Sequence, residues 1–207
     1  MTEDEAKAWL VDRNVPRETL GRLEAFANFL TAEASHQNLI AASTLDSIWS
    51  RHIVDSAQLL DLAPATGNWV DLGSGSGFPG LIVAALGRDV TLIESRAKRV
   101  QFLHEAASVL GVSDRVTIFT GRVETVTNQR FDIISARAFA PLPRLLDVAA
   151  PLSRPATCWL LPKGRSAAGE LEAIAGTWQG DFRIVPSVTD PDAAIIVARD
   201  VRLGRRR

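Results

Sequence analysis

Residues 70–80 read Val70-Asp-Leu-Gly-Ser-Gly-Ser-Gly-Phe-Pro-Gly80 and carry the strongest motif in the chain. Its glycines stand at positions 73, 75, 77 and 80, between a short apolar run and a helical pattern that Pro79 is placed to start. Glycine permits left-handed backbone and lets a ligand approach the main chain closely. In a doubly wound sheet such a loop lies at the carboxyl edge of the strands, so we expect a ligand there.

Outward from this loop, short apolar runs alternate with helical patterns. Such alternation predicts βαβ units on a parallel sheet. The runs are Trp69-Val70, Val90–Ile93, Val116–Phe119, Phe131–Ile134, Thr157–Leu161, Phe182–Val185 and Ala193–Val197. Helical patterns follow Pro79, Ser95, Pro141 and Ser166. The last two runs have no room for a crossover helix between them and should pair antiparallel. We therefore predict an α/β, Rossmann-like fold with a seven-stranded, mostly parallel sheet and an antiparallel last strand.

Residues 1–62 have helical patterns alone and are predicted to form an N-terminal helical extension, with the ligand-binding domain over 63–207. Thr2 and Glu5 have the spacing of a capping box. A second helical pattern runs from about Leu45 to Leu62. Within it, Arg51 and Asp55 are four residues apart and are expected to pair on one helical face.

Charge and cysteine content exclude several function classes. Net charge is −1, but residues 1–62 carry 10 acids and 5 bases, whereas residues 63–207 carry 14 acids and 18 bases. Cys158 is the single cysteine, so no intrachain disulfide can form, and neither it nor the three histidines show metal-ligand spacing. No secretory signal or membrane span is recognisable, so we expect a cytoplasmic monomer without a metal or membrane partner. The arginine-rich end, 202–207, is read either as a frayed terminus or as a phosphate-contacting tail.

The glycine loop fits two cofactors. Gly75-x-Gly77-x-x-Gly80 matches the dinucleotide fingerprint, and Glu94 ends the next strand, 19 residues after Gly75, where an acid would hold ribose hydroxyls. S-adenosylmethionine also has a ribose, so Glu94 does not discriminate between them. Asp71 favours S-adenosylmethionine, because Asp-x-Gly-x-Gly-x-Gly resembles the first motif of Rossmann-like methyltransferases.

Further segments narrow this resemblance to one family. They are Asn38-Leu39, Arg51-His-Ile-Val-Asp-Ser56, Phe78-Pro79-Gly80, Lys98-Arg99-Val100, Arg122-Val-Glu124, Ser135-Ala-Arg-Ala-Phe-Ala140 and Leu161-Pro-Lys-Gly164. In this order they resemble the 16S ribosomal RNA guanine-N7 methyltransferases, also called glucose-inhibited division protein B. The resemblance covers about residues 25–200. The sequence departs from the family after Asn38, where Leu-Ile replaces the usual Leu-Thr.

The resemblance implies a class I methyltransferase fold, S-adenosyl-L-methionine as cofactor, and 16S rRNA as partner, within the 30S subunit or an assembly intermediate. It implies that the cofactor contacts Gly73, Phe78, Val123, Glu124 and Arg137, beside the loop residue Gly75 and the strand-end acid Glu94. It also implies that the catalytic, RNA-facing pocket is formed by Asn38, Lys98, Arg122, Arg137 and Lys163.

The residues themselves agree with transfer to N7. Enzymes that methylate exocyclic amines usually carry Asn/Asp-Pro-Pro-aromatic after the fourth strand, where this chain has Ser135-Ala-Arg-Ala-Phe139. Methylation at pyrimidine C5 needs a thiolate, and Cys158 stands in an apolar strand pattern typical of core positions. Guanine N7 presents a free lone pair, so its methylation needs alignment and hydrogen-bond donors and no general base.

Several alternatives stay open. Lys98, with Arg96 and Arg99, opposes the dipole at a helix start, which indicates either function or a solvated cation. His52 is read as a base or as a packed side chain, and Phe139 as a residue that stacks on a flipped-out base or as part of the core. Competing functions are methylation of a small molecule or protein, nicotinamide-dependent oxidoreduction and non-catalytic RNA binding.

Overall fold

A computed structural model describes residues 1–204 of the chain and contains a seven-stranded sheet in the order β3-β2-β1-β4-β5-β7-β6. The strands are β1 (Trp69–Leu72), β2 (Val90–Glu94), β3 (Val116–Thr120), β4 (Ile133–Ser135), β5 (Cys158–Lys163), β6 (Trp178–Pro186) and β7 (Ala194–Leu203). Every predicted apolar run lies in or overlaps one of these strands, so the predicted seven strands are confirmed.

Strand directions also agree with the prediction. β1 to β5 pair in parallel, and β7 pairs antiparallel with both β5 and β6. The link between β6 and β7 is too short for a crossover, so β7 must return antiparallel. The chain order reverses between β1 and β4, and this reversal opens a crevice at the carboxyl ends of these strands.

Helices flank the sheet on both faces. They are α1 (Glu3–Asp12), α2 (Arg17–Ala34), α3 (Asp55–Ala57), α4 (Gly80–Ala85), α5 (Ala97–Leu110), α6 (Leu142–Ala149) and α7 (Ala167–Ile174). Short 3₁₀ turns cover Val123–Thr125 and Ala150–Leu152. The capping box at α1 is present: the Thr2 hydroxyl accepts from the Glu5 amide, and the Glu5 carboxylate accepts from the Thr2 amide.

The prediction of one regular helix from about Leu45 to Leu62 is wrong, although the segment is helical. This segment is a 3₁₀ turn (Ala42–Ser47), a π-helical turn (Trp49–Val54), the short α3 and a second 3₁₀ turn (Gln58–Asp61). The carboxylate of Glu3 accepts hydrogen bonds from the amides of Trp49 and Ser50, at 2.9 and 2.8 Å. This contact with α1 stabilises the start of the π turn, and π turns are frequent at functional sites.

Alternate strand residues point to opposite faces and form two apolar cores. Trp69 and Cys158 belong to the core that also contains Leu10 of α1 and Phe26 of α2, whereas Val70 and Trp159 belong to the other core with α6 and α7. The helical extension thus shares a continuous core with the sheet. Within residues 1–204, no helix is both long and apolar enough to cross a membrane. Arg202 lies in β7, and residues 205–207 of the predicted basic tail lie outside the described part of the chain.

Candidate functional site

The glycine loop turns tightly between β1 and α4. Gly73, Gly75 and Gly77 have φ values of +66°, +54° and +88°, a region that side-chain-bearing residues rarely adopt. The amides of Gly73 and Ser74 donate to the carbonyl of Ile93 at 2.9 and 3.1 Å, which ties the loop to β2. The loop therefore needs glycine for its backbone geometry as well as for access to its surface.

Asp71, which distinguished the two cofactors in the sequence, organises this loop from beneath. Its side chain is fully buried and accepts hydrogen bonds from the Ser135 hydroxyl at 2.8 Å and the Gly80 amide at 3.3 Å. Trp69 Nε1 donates to the same Ser135 hydroxyl at 2.9 Å. Burial raises the pKa of Asp71 to about 6, although these hydrogen bonds oppose the rise. Asp71 thus joins β1, β4 and the start of α4.

The Glu94 carboxylate also binds the backbone of the glycine loop, a role that the sequence did not predict. Its carboxylate accepts hydrogen bonds from the backbone amides of Gly75 at 3.0 Å, Ser95 at 2.7 Å and Arg96 at 2.8 Å. The side chain is buried, at 5% exposure. A carboxylate has about four acceptor sites, so capacity for a ligand hydroxyl remains after these three bonds. Glu94 therefore shapes the glycine loop, and its predicted contact with ribose stays a prediction.

A cavity of about 210 Å³ lies at the carboxyl ends of β2 and β3. It is lined by Gly73, Ile93, Glu94, Ser95, Gly121, Arg122, Val123, Glu124, Phe139 and Arg144. Val123 is buried, and the Glu124 carboxylate accepts from Arg144 at 2.6 Å. The structure thus brings together five residues predicted from the sequence: Gly73, Glu94, Arg122, Val123 and Glu124.

A larger cavity of about 810 Å³ lies beside it, at the ends of β4 and β5. The sheet side contributes Arg137, Phe139 and Lys163, and the N-terminal extension contributes Thr44, Arg51, His52 and Asp55. The extension therefore forms one wall of this cavity. Of the five residues predicted for the catalytic pocket, Arg137 and Lys163 line it.

Arg137 is held on three sides. Its Nη1 lies 3.5 Å from the Asp55 carboxylate and donates to the carbonyl of Arg51 at 3.3 Å. Its guanidinium also lies over the ring of Phe78, 4.9 Å from the centroid. The side chain is 18% exposed. The predicted helical pair of Arg51 with Asp55 is wrong: Arg51 pairs with Asp190, and Asp55 pairs with Arg137.

His52 is packed and neutral. Its ring stacks on Phe78 with centroids 5.0 Å apart, and Nε2 lies 2.8 Å from the Thr44 hydroxyl. Burial and, to a smaller extent, the nearby cations Arg137 and Arg51 lower the pKa of His52 to about 3. The geometry favours the packed reading of His52 over the base. Phe78 is itself only 3% exposed and contacts His52, Phe26 and Arg137.

Lys163 lies at the end of β5 and bonds to Glu170 of α7. Nζ of Lys163 donates to the Glu170 carboxylate at 2.7 Å and to the carbonyl of Ala140 at 3.2 Å. The same carboxylate accepts from the Leu142 amide at 2.7 Å. Burial raises the pKa of Glu170, but the hydrogen bonds outweigh it and the net shift is downward. Lys163 is thereby held against the segment that follows β4.

Two predicted pocket residues, Asn38 and Lys98, line neither cavity, and both side chains are exposed. The neighbouring Arg99 makes the contact between their segments: its Nη2 donates to the carbonyl of Asn38 at 3.1 Å. A Cβ built on Gly75 would lie 2.9 Å from Arg99 Nη1, so this guanidinium covers the loop. The Lys98-Arg99 motif therefore lies next to the glycine loop. Spacing along the helix could not show which of the two cations contacts the loop.

Sequence reasoning missed Asp55 as the partner of Arg137, missed Glu170 altogether, and did not assign Arg99 to the site. Acidic and basic residues far apart in the chain carry no signal of pairing before the fold is known. Cys158, in contrast, is fully buried in β5 as its apolar neighbours predicted. Among residues 1–204, no group of three or more histidine, cysteine, aspartate or glutamate side chains is arranged to hold a metal.

Solved structures share this architecture. A glycopeptide N-methyltransferase complexed with S-adenosyl-L-homocysteine aligns with a TM-score of 0.60 at 14% identity, over 72% of this chain and 89% of the other. An O-methyltransferase from Bacillus cereus, in complex with the same compound, aligns with a TM-score of 0.59 at 17% identity, over 93% and 96% of the two chains. The predicted class I methyltransferase fold is confirmed.

Relatives in sequence extend over nearly the whole chain. The family model described as rRNA small subunit methyltransferase G matches residues 19–192. A protein of that name from Rhizorhabdus wittichii is 56% identical over 98% of this chain and 94% of its own length. Another, from Zymomonas mobilis, is 52% identical over 100% of this chain and 98% of its own. These matches confirm the family that the motifs indicated: the chain belongs to the ribosomal RNA small subunit methyltransferase G family.

Proposed function

We propose that this protein transfers the methyl group of S-adenosylmethionine to N7 of a guanine in 16S ribosomal RNA. The observation that carries the proposal is the cavity of about 810 Å³ beside the glycine loop, with Arg137 and Lys163 in its wall. Membership of the family, whose members are named for methylation of small-subunit ribosomal RNA, supports the substrate class.

The residues around the smaller cavity fit the methyl donor. Gly73 and Gly75 add no side chain of their own to the loop at these positions, and Glu94 lines the cavity beside Gly73. Val123 supplies an apolar surface, and Glu124 a polar group next to it. When bound, S-adenosylmethionine supplies an activated methyl group on a positively charged sulfur. We assign Gly73, Gly75, Glu94, Val123 and Glu124 to its binding.

Phe78 and Arg137, the remaining predicted cofactor residues, lie on the side of the larger cavity. Phe78 is buried beneath the guanidinium of Arg137, so its contribution is to support Arg137. A cation beside a sulfonium is repelled by it, which makes Arg137 better suited to an acceptor. We therefore assign Arg137 and Lys163 to guanine O6 and nearby phosphates, which leaves N7 free to attack.

The titratable groups of the larger cavity fit a methyl transfer in which no base has to remove a proton from the acceptor. His52 has its pKa lowered to about 3 by burial, Asp55 pairs with Arg137, and Glu170 pairs with Lys163. Outside the cavity, burial raises the pKa of the Cys158 thiol, which disfavours the thiolate that a covalent mechanism would need. An acceptor with a free lone pair needs none of these groups as a base, whereas an amine acceptor loses a proton during transfer.

The proposal has three further parts. Residues 1–62 form an extension that supplies the wall of the RNA pocket through Arg51, His52 and Asp55. Lys98 and Arg122, with Asn38, lie outside the larger cavity and serve as outer contacts to RNA phosphates. The protein acts as a monomer in the cytoplasm, on the 30S subunit or an assembly intermediate.

The test is methyl transfer from labelled S-adenosylmethionine to three acceptors: 30S particles lacking the modification, naked 16S rRNA and a protein fraction without RNA. Label should enter 16S rRNA, at one guanine whose N7 methylation makes the chain cleavable by borohydride and aniline. Calorimetry should show binding of S-adenosylmethionine in the micromolar range, worth roughly 8 kcal/mol, and no binding of NAD. Label in protein or in small molecules alone would overturn the proposed acceptor.

A further inference from the structure

The ring of Phe139 separates the two cavities of the site. It lines the cavity of about 210 Å³ next to Gly73 and Glu94, and it lines the cavity of about 810 Å³ next to Arg137 and Lys163. Within the part of the chain that the structure describes, it is the one residue common to both walls. A methyl group that passes from one cavity to the other must therefore pass this ring.

The ring also covers the glycine loop. A Cβ built on Gly73 would lie 2.5 Å from Cδ2 of Phe139, so the ring is in contact with the main chain at this glycine. Gly73 is a residue that the resemblance assigns to the methyl donor. The ring and a ligand cannot both occupy the surface of Gly73.

The volume of the smaller cavity also indicates that the Phe139 ring occupies space that a ligand would need. Pockets for small molecules usually measure about 300–1,000 Å³, whereas the cavity at Gly73 and Glu94 measures about 210 Å³. Removal of the ring from Gly73 would enlarge this cavity toward the loop and join it to the larger cavity.

The backbone beside the ring is strained. Ala138, directly before Phe139, has a φ of +52°, in the left-handed region that alanine disfavours. The residue lies in the exposed connection between β4 and α6. Strain of this kind is common in segments that switch between two arrangements.

We propose that Phe139 is a gate that couples the methyl donor to the RNA base. In the free protein its ring covers Gly73. Occupation of the loop by the donor displaces the ring into the larger cavity, where its face stacks on the target guanine beside Arg137. Stacking on an aromatic side chain typically changes affinity by tenfold or more. The donor therefore binds first and raises the affinity for RNA. This inference rests on the proposed function.

The displacement is tested by ¹⁹F NMR on protein labelled with 4-fluorophenylalanine, with S-adenosyl-L-homocysteine as the probe. The Phe139 signal is assigned by its loss in Phe139→Leu. Phe182, half-buried in β6 at the far edge of the sheet, gives an internal control. Saturation with the probe should shift the Phe139 signal and leave that of Phe182 in place. An unmoved Phe139 signal at saturation would show that the ring does not gate the loop.

The coupling is tested with Phe139→Ala and Phe139→Tyr, and with Phe182→Ala as the matched control. Phe139→Ala should bind the probe as tightly as the wild type or several-fold more tightly, because no ring has to be displaced. Its single-turnover methylation of 30S particles should fall at least tenfold, and Phe139→Tyr should restore it. A tenfold loss of probe affinity in Phe139→Ala would identify a fixed wall of the donor site and overturn the gate. If the wild type binds the probe but methylates no 16S rRNA, the proposed acceptor is wrong, while the ¹⁹F signal still decides whether the ring moves.

Discussion

The carboxylate of Asp55 lies 3.5 Å from Nη1 of Arg137, and this ion pair joins the N-terminal extension to the end of β4. Both side chains are mostly buried, at 16% and 18% exposure. Burial raises the pKa of Asp55, and the charge of Arg137 opposes that rise. The pair therefore positions Arg137 over Phe78, at the boundary of the larger cavity.

Removal of Asp55 should affect both stability and activity. Asp55→Ala leaves the Arg137 cation without its carboxylate partner, which should cost about 3 kcal/mol in the free energy of unfolding. Methyl transfer should fall with it, because Arg137 loses its orientation. Urea denaturation and single-turnover assays measure the two effects. The control is Glu24→Gln, which breaks the exposed ion pair with Lys7 and should change stability by less than about 1 kcal/mol. Equal effects of the two variants would exclude a positioning role for Asp55.

Arg137 and Lys163 should be needed for transfer. Arg137→Ala and Lys163→Ala should each slow single-turnover methylation by roughly two orders of magnitude, the scale for loss of one positioned electrostatic group. Lys163→Ala should leave the affinity for S-adenosylmethionine nearly unchanged, because Lys163 lines only the larger cavity. Arg115→Ala, which removes an exposed cation before β3, is the control. Transfer at the wild-type rate by Lys163→Ala would remove that residue from the RNA pocket.

Glu94 should contribute to both the loop and the donor. Glu94→Ala removes the acceptor of three backbone amides, those of Gly75, Ser95 and Arg96. Affinity for S-adenosylmethionine should drop by roughly 1.5–3 kcal/mol, the range for hydrogen bonds to a charged group. Thermal stability should fall as well, since the loop loses one of its hydrogen bonds to β2. Glu94→Gln keeps one acceptor oxygen and should lie between Glu94→Ala and the wild type. Unchanged affinity in a folded Glu94→Ala protein would rule out the ribose contact.

Cys158 should be dispensable for chemistry. Its side chain is fully buried in β5, and burial raises the pKa of its thiol. Cys158→Ala should methylate at the wild-type rate and lose about 1 kcal/mol of stability from the small cavity it creates. A folded but inactive variant would indicate a covalent mechanism and contradict N7 as the acceptor.

Asp71 should give the stability a distinctive pH dependence. Burial raises its pKa from 3.8 to about 6, so the folded protein binds a proton there that the unfolded chain releases. The stability from this group is complete below pH 3.8 and is lost as pH rises to about 6, by about 3 kcal/mol in total. His52 acts in the opposite direction. Its pKa is lowered to about 3, so its contribution is present above pH 6.5 and lost as pH falls.

The two effects overlap, so the test is a difference between proteins. Urea unfolding of the wild type and of Asp71→Asn is compared at each pH from 4 to 7.5. The free energy of unfolding of the wild type, minus that of the variant, should decrease as pH rises through this range and level off above about pH 6. A difference that does not vary with pH would show that Asp71 titrates normally in the folded protein.

The sheet and the glycine loop could be predicted from the sequence. Apolar runs of β-branched residues at Val90–Ile93 and Thr157–Leu161 became β2 and β5, because a parallel strand buried on both faces is apolar throughout. Glycine at positions 73 and 75 permits the left-handed backbone found there, as the motif predicted. The antiparallel direction of β7 follows from the short link between β6 and β7, which cannot hold a crossover helix. These features depend on residue types and spacings within short segments, which can be recognised without knowing the fold.

The contacts between side chains within the site, in contrast, could not be predicted before the fold was known. Asp55 meets Arg137 across 82 positions of the chain because the N-terminal extension and the end of β4 line the same cavity. Glu94 binds the Gly75 amide, and Phe139 covers Gly73, because the carboxyl ends of neighbouring strands meet at one edge. Such contacts depend on how strands and helices far apart in the chain pack together. Residue spacing predicts which side chains a segment carries to this edge, and the packing decides which of them touch.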